Sequence, residues 1–178
     1  MIKSVIWQEI KSWSIMIVIT VLIAVLITQF VIVNASIPTG SMQPLIMPRD
    51  RVIASRLSYI SSSPQRYDVI IFRPPHDSDS LYIKRVIGLP GEMVSIRSGL
   101  VYINDSIIPL EDNFVQEHVY GDFGPFYVPS ESYFVLGDNR GNSTDSRLWE
   151  NPFVPSENIL GRAIFKYYRG FELLTWRG

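Results

Sequence analysis

The sequence predicts a mostly β protein: one N-terminal transmembrane helix, then an antiparallel β-barrel or sandwich. Three observations predict this class. The stretch from Trp13 to Val33 carries no charge and only four polar side chains, Ser14, Thr20, Thr28 and Gln29, and it is long enough to cross a hydrocarbon core of roughly 30 Å as a helix. Beyond it, short runs of β-branched and aromatic residues are separated by Pro and Gly turns, the pattern of strands and their connections. No later stretch sustains an apolar period of 3.6 residues, so little further helix is expected.

The elements follow in order. The β-branched content of the span would disfavour a helix in water, but in lipid an unpaired backbone group costs several kcal/mol and the helix forms regardless. Trp7 and Trp13 suit the interfacial belt on its entry side. A cleavable signal peptide is the alternative, because Val33-Asn34-Ala35 resembles a small-residue cleavage site, although such peptides carry a shorter apolar core of about 7–15 residues. Lys3 and Lys11 precede the span while Arg49, Arg51 and Arg56 follow it, so positive charge alone does not orient it.

After the span, residues 51–54, 69–72, 82–87, 93–96, 100–103 and 133–136 read as strands. Arg97-Ser98-Gly99-Leu100 looks like a hairpin connection. Ser55 to Arg66 is serine-rich and reads as an exposed loop.

Composition excludes several classes. The chain has 178 residues with 16 basic and 17 acidic side chains, a net charge of −1. It lacks the basic stripe of a nucleic-acid binder. It contains no cysteine, hence no disulfide framework. With only His76 and His118, a zinc site would need several carboxylates as well. Neither a metal nor a cofactor is expected.

Three segments could carry chemistry. Ser41 lies in Ile37-Pro38-Thr39-Gly40-Ser41-Met42-Gln43-Pro44. A serine hydroxyl becomes a useful nucleophile only beside a base; Gly40 leaves room for a close backbone approach, and Pro38 and Pro44 restrict the chain on both sides. The same vocabulary also builds ordinary loops. Lys84 falls within a predicted strand on the face shared by Tyr82 and Val86. If partly desolvated there, its amine loses proton affinity and becomes a candidate general base; a lysine with its stem on apolar surface and its head in water is the other reading. The third segment is the loop from Gly137 to Arg147, where Asp145 and Arg147 could pair and Ser143 or Ser146 could orient an amine. A Ser-His-Asp arrangement through His76 or His118 has no flanking motif to support it.

In this order, the span and the segments 38–44, 49–52, 82–92 and 137–147 resemble the type I signal peptidases. The closer likeness is to their bacterial Ser-Lys branch, with the single anchor common in Gram-positive bacteria. The resemblance implies a membrane-anchored serine endopeptidase that removes signal peptides from secreted preproteins after small residues. On matching positions it implies Ser41 as nucleophile and Lys84 as general base. The Ser41 backbone amide and the Thr39 hydroxyl would form the oxyanion hole, Ser143 would hold the lysine amine, and Asp145 and Arg147 would form the supporting ion pair. Ile37, Met42, Tyr82 and Ile83 match positions lining shallow specificity pockets. Residues 1–12 would be cytoplasmic, 13–33 would cross the plasma membrane and 34–178 would lie outside. Secretory preproteins and the lipid bilayer are the implied partners of a chain monomeric in the membrane. Two positions depart from the family pattern: Arg49 stands where glycine is usual, and Leu45 where threonine is common. Asp112 to Pro129 matches no motif. A Ser-Lys peptidase with a dedicated client and a non-enzymatic membrane-anchored peptide-binding β module are the competing functions.

Overall fold

The computed structural model describes residues 2–75, 77, 79–168 and 170–174. Helix α1 (Ile2–Leu26) continues through one wider π turn, Ile27–Val31, and runs straight into strand β1 (Ile32–Ser36). From Ile6 to Val31 the helical segment is long and apolar enough to cross a membrane, and none of its most apolar stretch is buried against the described residues. Its few hydroxyls are satisfied internally: Ser14 and Thr20 each donate to the carbonyl four residues back. Ile32 and Val33, the expected end of the span, instead open β1. Both residue types suit either environment, and pairing with Ser55 and Ala54 of the neighbouring strand decides the outcome.

The remaining strands are β2 (Arg51–Ser55), β3 (Val69–Phe72), β4 (Tyr82–Gly88), β5 (Met93–Arg97), β6 (Leu100–Ile103), β7 (Phe123–Tyr127), β8 (Ser132–Leu136), β9 (Phe153–Pro155), β10 (Ile159–Tyr167) and β11 (Glu172–Leu173). They form two antiparallel sheets. The larger runs β1-β2-β10-β3-β4-β8-β9, with β11 beside β10, and the smaller runs β6-β5-β7. β1 and β9 end the large sheet without meeting, so it stays open. The β5–β6 hairpin turns through Ser98 and Gly99, both with positive φ, the geometry a two-residue hairpin of native twist requires. Ser55 to Arg66 is more tied down than an exposed loop: Leu57–Tyr59 forms a 3-10 turn, the Arg56 N–H donates to the Val31 carbonyl, and Tyr59 donates to Asp68 at 2.9 Å.

Strand alternation gives the large sheet two buried faces. Val69, Ile71 and Ile83 join Val33, Ala35, Val52 and Ala54 on one side, while Ile70, Phe72 and Val86 join Tyr133, Val135 and Val154 on the other. Ile87, Phe134 and Leu136 carry the packing across to Val94, Ile96 and Val101 of the small sheet. The result is a rigid frame with the β1–β2 connection and the β4 strand side by side.

Candidate active site

Residues 37–50, joining β1 to β2, fold into a closed knot of turns. The Ile37 N–H donates to the Asp50 carbonyl at 2.9 Å and the Arg49 N–H returns to the Ile37 carbonyl at 2.7 Å. A buried Asp50 caps the inner turn by accepting the Met47 N–H at 2.9 Å. Met42 and Ile46, both fully buried, plug the knot into the core. Ser41 is thereby fixed between them and β1, and its carbonyl accepts the Asn139 N–H at 3.0 Å.

Lys84 comes from the middle of β4, opposite Ile70 of β3. Its Nζ lies 2.8 Å from Ser41 Oγ and 3.2 Å from the Ile83 carbonyl, and 5.6 Å above the Tyr82 ring. Both Ser41 and Lys84 are 4% exposed. Burial pushes the Lys84 amine down from 10.5 to about 8, against the opposing pull of Asp145 and Asp138. A lysine in that state is about one part in ten neutral at pH 7, far more than an ordinary lysine, and so can serve as a general base. The Thr39 hydroxyl lies 3.4 Å from Ser41 Oγ. Among the described residues, the Ser41 N–H has no backbone acceptor.

The loop from Gly137 to Arg147 closes the far side. Arg147 grips Asp145 with Nε and Nη2 at 2.8 and 2.9 Å, as the sequence suggested. Asp145 in turn accepts the Gly137 N–H at 3.1 Å. Gly137 has to be glycine: a Cβ there would meet the Ser41 carbonyl oxygen at 2.5 Å and overlap Ser143 Oγ. A second buried pair, Arg85 with Asp138 at 2.8 Å, joins residues 53 apart in the chain and was not foreseen.

These residues surround a cleft of about 720 Å³. Of the residues singled out in the sequence, Ile37, Thr39, Ser41, Tyr82, Ile83, Lys84 and Ser143 line it. Pro38, Leu81, Asn142, Thr144 and Leu148 do so too; each flanks an expected residue, which was the only signal available for them. Two expectations change. Met42 does not line the cleft but is wholly buried beneath it in the core, because the turn after Ser41 directs it inward. Ser143 lines the cleft without holding the amine: among the described residues its buried Oγ has no hydrogen-bond partner, and Lys84 Nζ bonds Ser41 and the Ile83 carbonyl instead. His118 faces Asp112, 3.7 Å away, and does not line the cleft; His76 lies outside the described residues.

A family model described as "Signal peptidase, peptidase S26" matches residues 10–168. The chain belongs to this family. Signal peptidase I of Leptolyngbya laminosa is 41% identical over 156 residues, covering 84% of this chain and 75% of that protein. A probable signal peptidase I-1 of Synechocystis is 36% identical over 169 residues, covering 91% and 84% respectively. The solved structure of a signal peptidase I from Enterococcus faecalis is 34% identical, covers 57% of this chain and 97% of its own, and superposes with a TM-score of 0.49.

Within the signal peptidase family, the departure at Arg49 now has a physical meaning. Its φ is +75°, a left-handed conformation that glycine adopts freely and other residues at a cost. Leu45, the other departure, packs partly buried against the core around Met42, and its carbonyl accepts the Lys166 amine. Neither touches Ser41 or Lys84.

Proposed function

We propose that this chain is a membrane-anchored serine endopeptidase that removes signal peptides from secreted preproteins after small residues. The observation that carries the proposal is the 2.8 Å approach of Lys84 Nζ to Ser41 Oγ on the floor of an open cleft, both groups buried. Neutral Lys84 takes the hydroxyl proton as Ser41 Oγ attacks the scissile carbonyl. The Ser41 N–H and the Thr39 hydroxyl receive the developing oxyanion, a contribution worth roughly 2.7–4 kcal/mol per well-aimed donor. Lys84 then passes the proton to the leaving amine, and a water attacks the acyl-enzyme with Lys84 again as base. The substrate lies extended in the cleft, its alternate side chains meeting Ile37, Tyr82 and Ile83. Asp145 and Arg147 hold the loop behind the amine.

Helix α1 is the single membrane pass, with the N-terminus cytoplasmic and the β domain outside, the chain acting as a monomer. Replacing Ser41 with Ala or Lys84 with Met and measuring preprotein cleavage in detergent tests the assignment. Either variant retaining wild-type kcat would sink the dyad. Cleavage confined to one dedicated preprotein would favour the specialised-client reading.

A further inference from the structure

The segment from Asp112, which matches no motif, belongs to the connection between β6 and β7, and that connection is fastened across the back of the active-site loop. The Tyr67 hydroxyl donates to the Glu111 carbonyl at 2.7 Å. The Phe114 ring lies 4.2 Å from the Arg85 guanidinium. Val119 closes on Gly141 so tightly that a Cβ there would meet Val119 Cγ2 at 3.2 Å. Between these points Asp112 turns inward. It is 9% exposed, its Oδ2 is 3.4 Å from Arg140 Nη1, and His118 flanks its other oxygen.

Arg140 belongs to the active-site loop and is itself buried. Its Nε donates to the Gly137 carbonyl at 3.2 Å, and its own carbonyl accepts Arg147 Nη2 at 2.8 Å. The Gly137 peptide is therefore clamped at both ends, by Asp145 on its N–H and by Arg140 on its C=O. Burial works against the charge on Arg140, and Asp112 is the strongest influence sustaining it. Among the described residues, neither Arg140 Nη2 nor Asp112 Oδ2 has an aligned hydrogen-bond partner. The two groups hold each other as ions. A buried charge deprived of its partner is strongly unfavourable.

We propose that Asp112 is a positioning residue of the active site: its carboxylate holds Arg140 on the Gly137 carbonyl, and so sets the loop against Ser41 and Lys84. The proposal rests on Ser41 and Lys84 being nucleophile and base. The mechanical link is short, because Gly137 packs directly on the Ser41 carbonyl and the Asn139 N–H bonds that same oxygen. An electrostatic link runs beside it. Without Asp112, the remaining carboxylates acting on Arg140 are Asp145 and Asp138, the same two that oppose the burial of the Lys84 charge. They are already shared with Arg147 and Arg85, so drawing Arg140 onto them weakens their support of Lys84.

The test uses the full chain in detergent with a preprotein substrate, comparing Asp112→Asn with wild type. Displacement of a catalytic group by about 1 Å costs up to 10²-fold, so kcat should fall roughly 10–100-fold with KM within about twofold. The acid limb of the kcat/KM profile should also move to lower pH. Asp112→Glu, which restores a carboxylate, should recover part of the loss. Wild-type kcat and an unmoved acid limb in Asp112→Asn would overturn the proposal. So would a loss explained wholly by a smaller folded fraction, read from the burst amplitude. Should Asp112→Asn not fold, Arg140→Lys keeps the charge and removes the Nε donor to Gly137. It should lower kcat at constant KM, and wild-type kcat there refutes the clamp. Ser41→Ala in the same assay separates the two levels. If it is active, the site reading fails and the proposal with it. If it is dead while Asp112→Asn behaves as wild type, only the role of Asp112 falls.

Discussion

Replacing Lys84 with Met should abolish cleavage and at the same time stabilise the fold, by an amount that depends on pH in a defined window. Burial lowers the Lys84 pKa from 10.5 to about 8. The unfolded chain therefore binds more protons than the folded one between those values. The Lys84 contribution to stability is most favourable above pH 10.5, declines as pH falls through the window and levels off below about 8. At ~1.36 kcal/mol for each pH unit between the two pKa values, the full penalty at pH 7 is on the order of 3 kcal/mol. Methionine has similar length and no charge, so Lys84→Met escapes the penalty and loses only the hydrogen bonds to Ser41 and the Ile83 carbonyl, worth about 1 kcal/mol each. Urea unfolding of both proteins in detergent at pH 7 and pH 10.5 isolates the Lys84 contribution, because other titrating groups cancel in the difference. The variant should be more stable at pH 7, by up to about 3 kcal/mol before the lost hydrogen bonds are deducted, and the advantage should vanish or reverse at pH 10.5. A difference that does not change with pH would refute the reasoning. In wild type, kcat/KM should fall tenfold per pH unit below about 8.

Three further outcomes follow from the geometry. Gly137→Ala should cut kcat by roughly 10²-fold, because the added methyl meets the Ser41 carbonyl oxygen and Ser143; unaltered kcat would show that the loop yields easily. Thr39→Ala should lower kcat by about 10²–10³ with little change in KM, as loss of one oxyanion donor does, and Thr39→Ser should restore most of it. Arg49→Gly should raise the unfolding midpoint: relief of a left-handed φ is worth roughly 1–2 kcal/mol, of which glycine's unfolded-state freedom takes back about 0.4–1. A lower midpoint would mean that the Arg49 side chain makes a contact outweighing its strain.

The strand that carries Lys84 and its neighbour were legible because Tyr82–Gly88 and Val69–Phe72 are dense in β-branched residues and bounded by turn residues. Longer β10 was not. Gly161 interrupts it, and an irregular register between Ala163 and Phe165 breaks its alternation. β1 was hidden for the opposite reason: Ile32 and Val33 continue the apolar run of α1, and hydropathy cannot mark where lipid gives way to a protein core. β7 carries Gly124 and Pro125, residue types that weaken a strand pattern. At the site, Ser41, Lys84 and the Asp145–Arg147 pair could be named because short-range motifs hold them. The inward turn of Met42, the Arg85–Asp138 pair and the reach of Asp112 to Arg140 depend on chain crossings that local sequence does not encode.

The junction of α1 and β1 has no linker. Val31 ends the last helical turn, Ile32 begins a strand paired along its whole length with β2, and the Arg56 N–H ties the far end of β2 to the Val31 carbonyl. With α1 in a bilayer, the β domain is a stiff bracket rather than a tethered head. Five strand residues at ~3.3 Å each make a strut of about 17 Å between the end of the helix and the turns that carry Ser41. If Ser41 is the nucleophile, as proposed, its hydroxyl would then keep to a limited range of heights above the lipid. On that reading a preprotein bond would be presented or withheld according to how far its own apolar segment lifts it into that range, a selection by altitude ahead of selection by side chain.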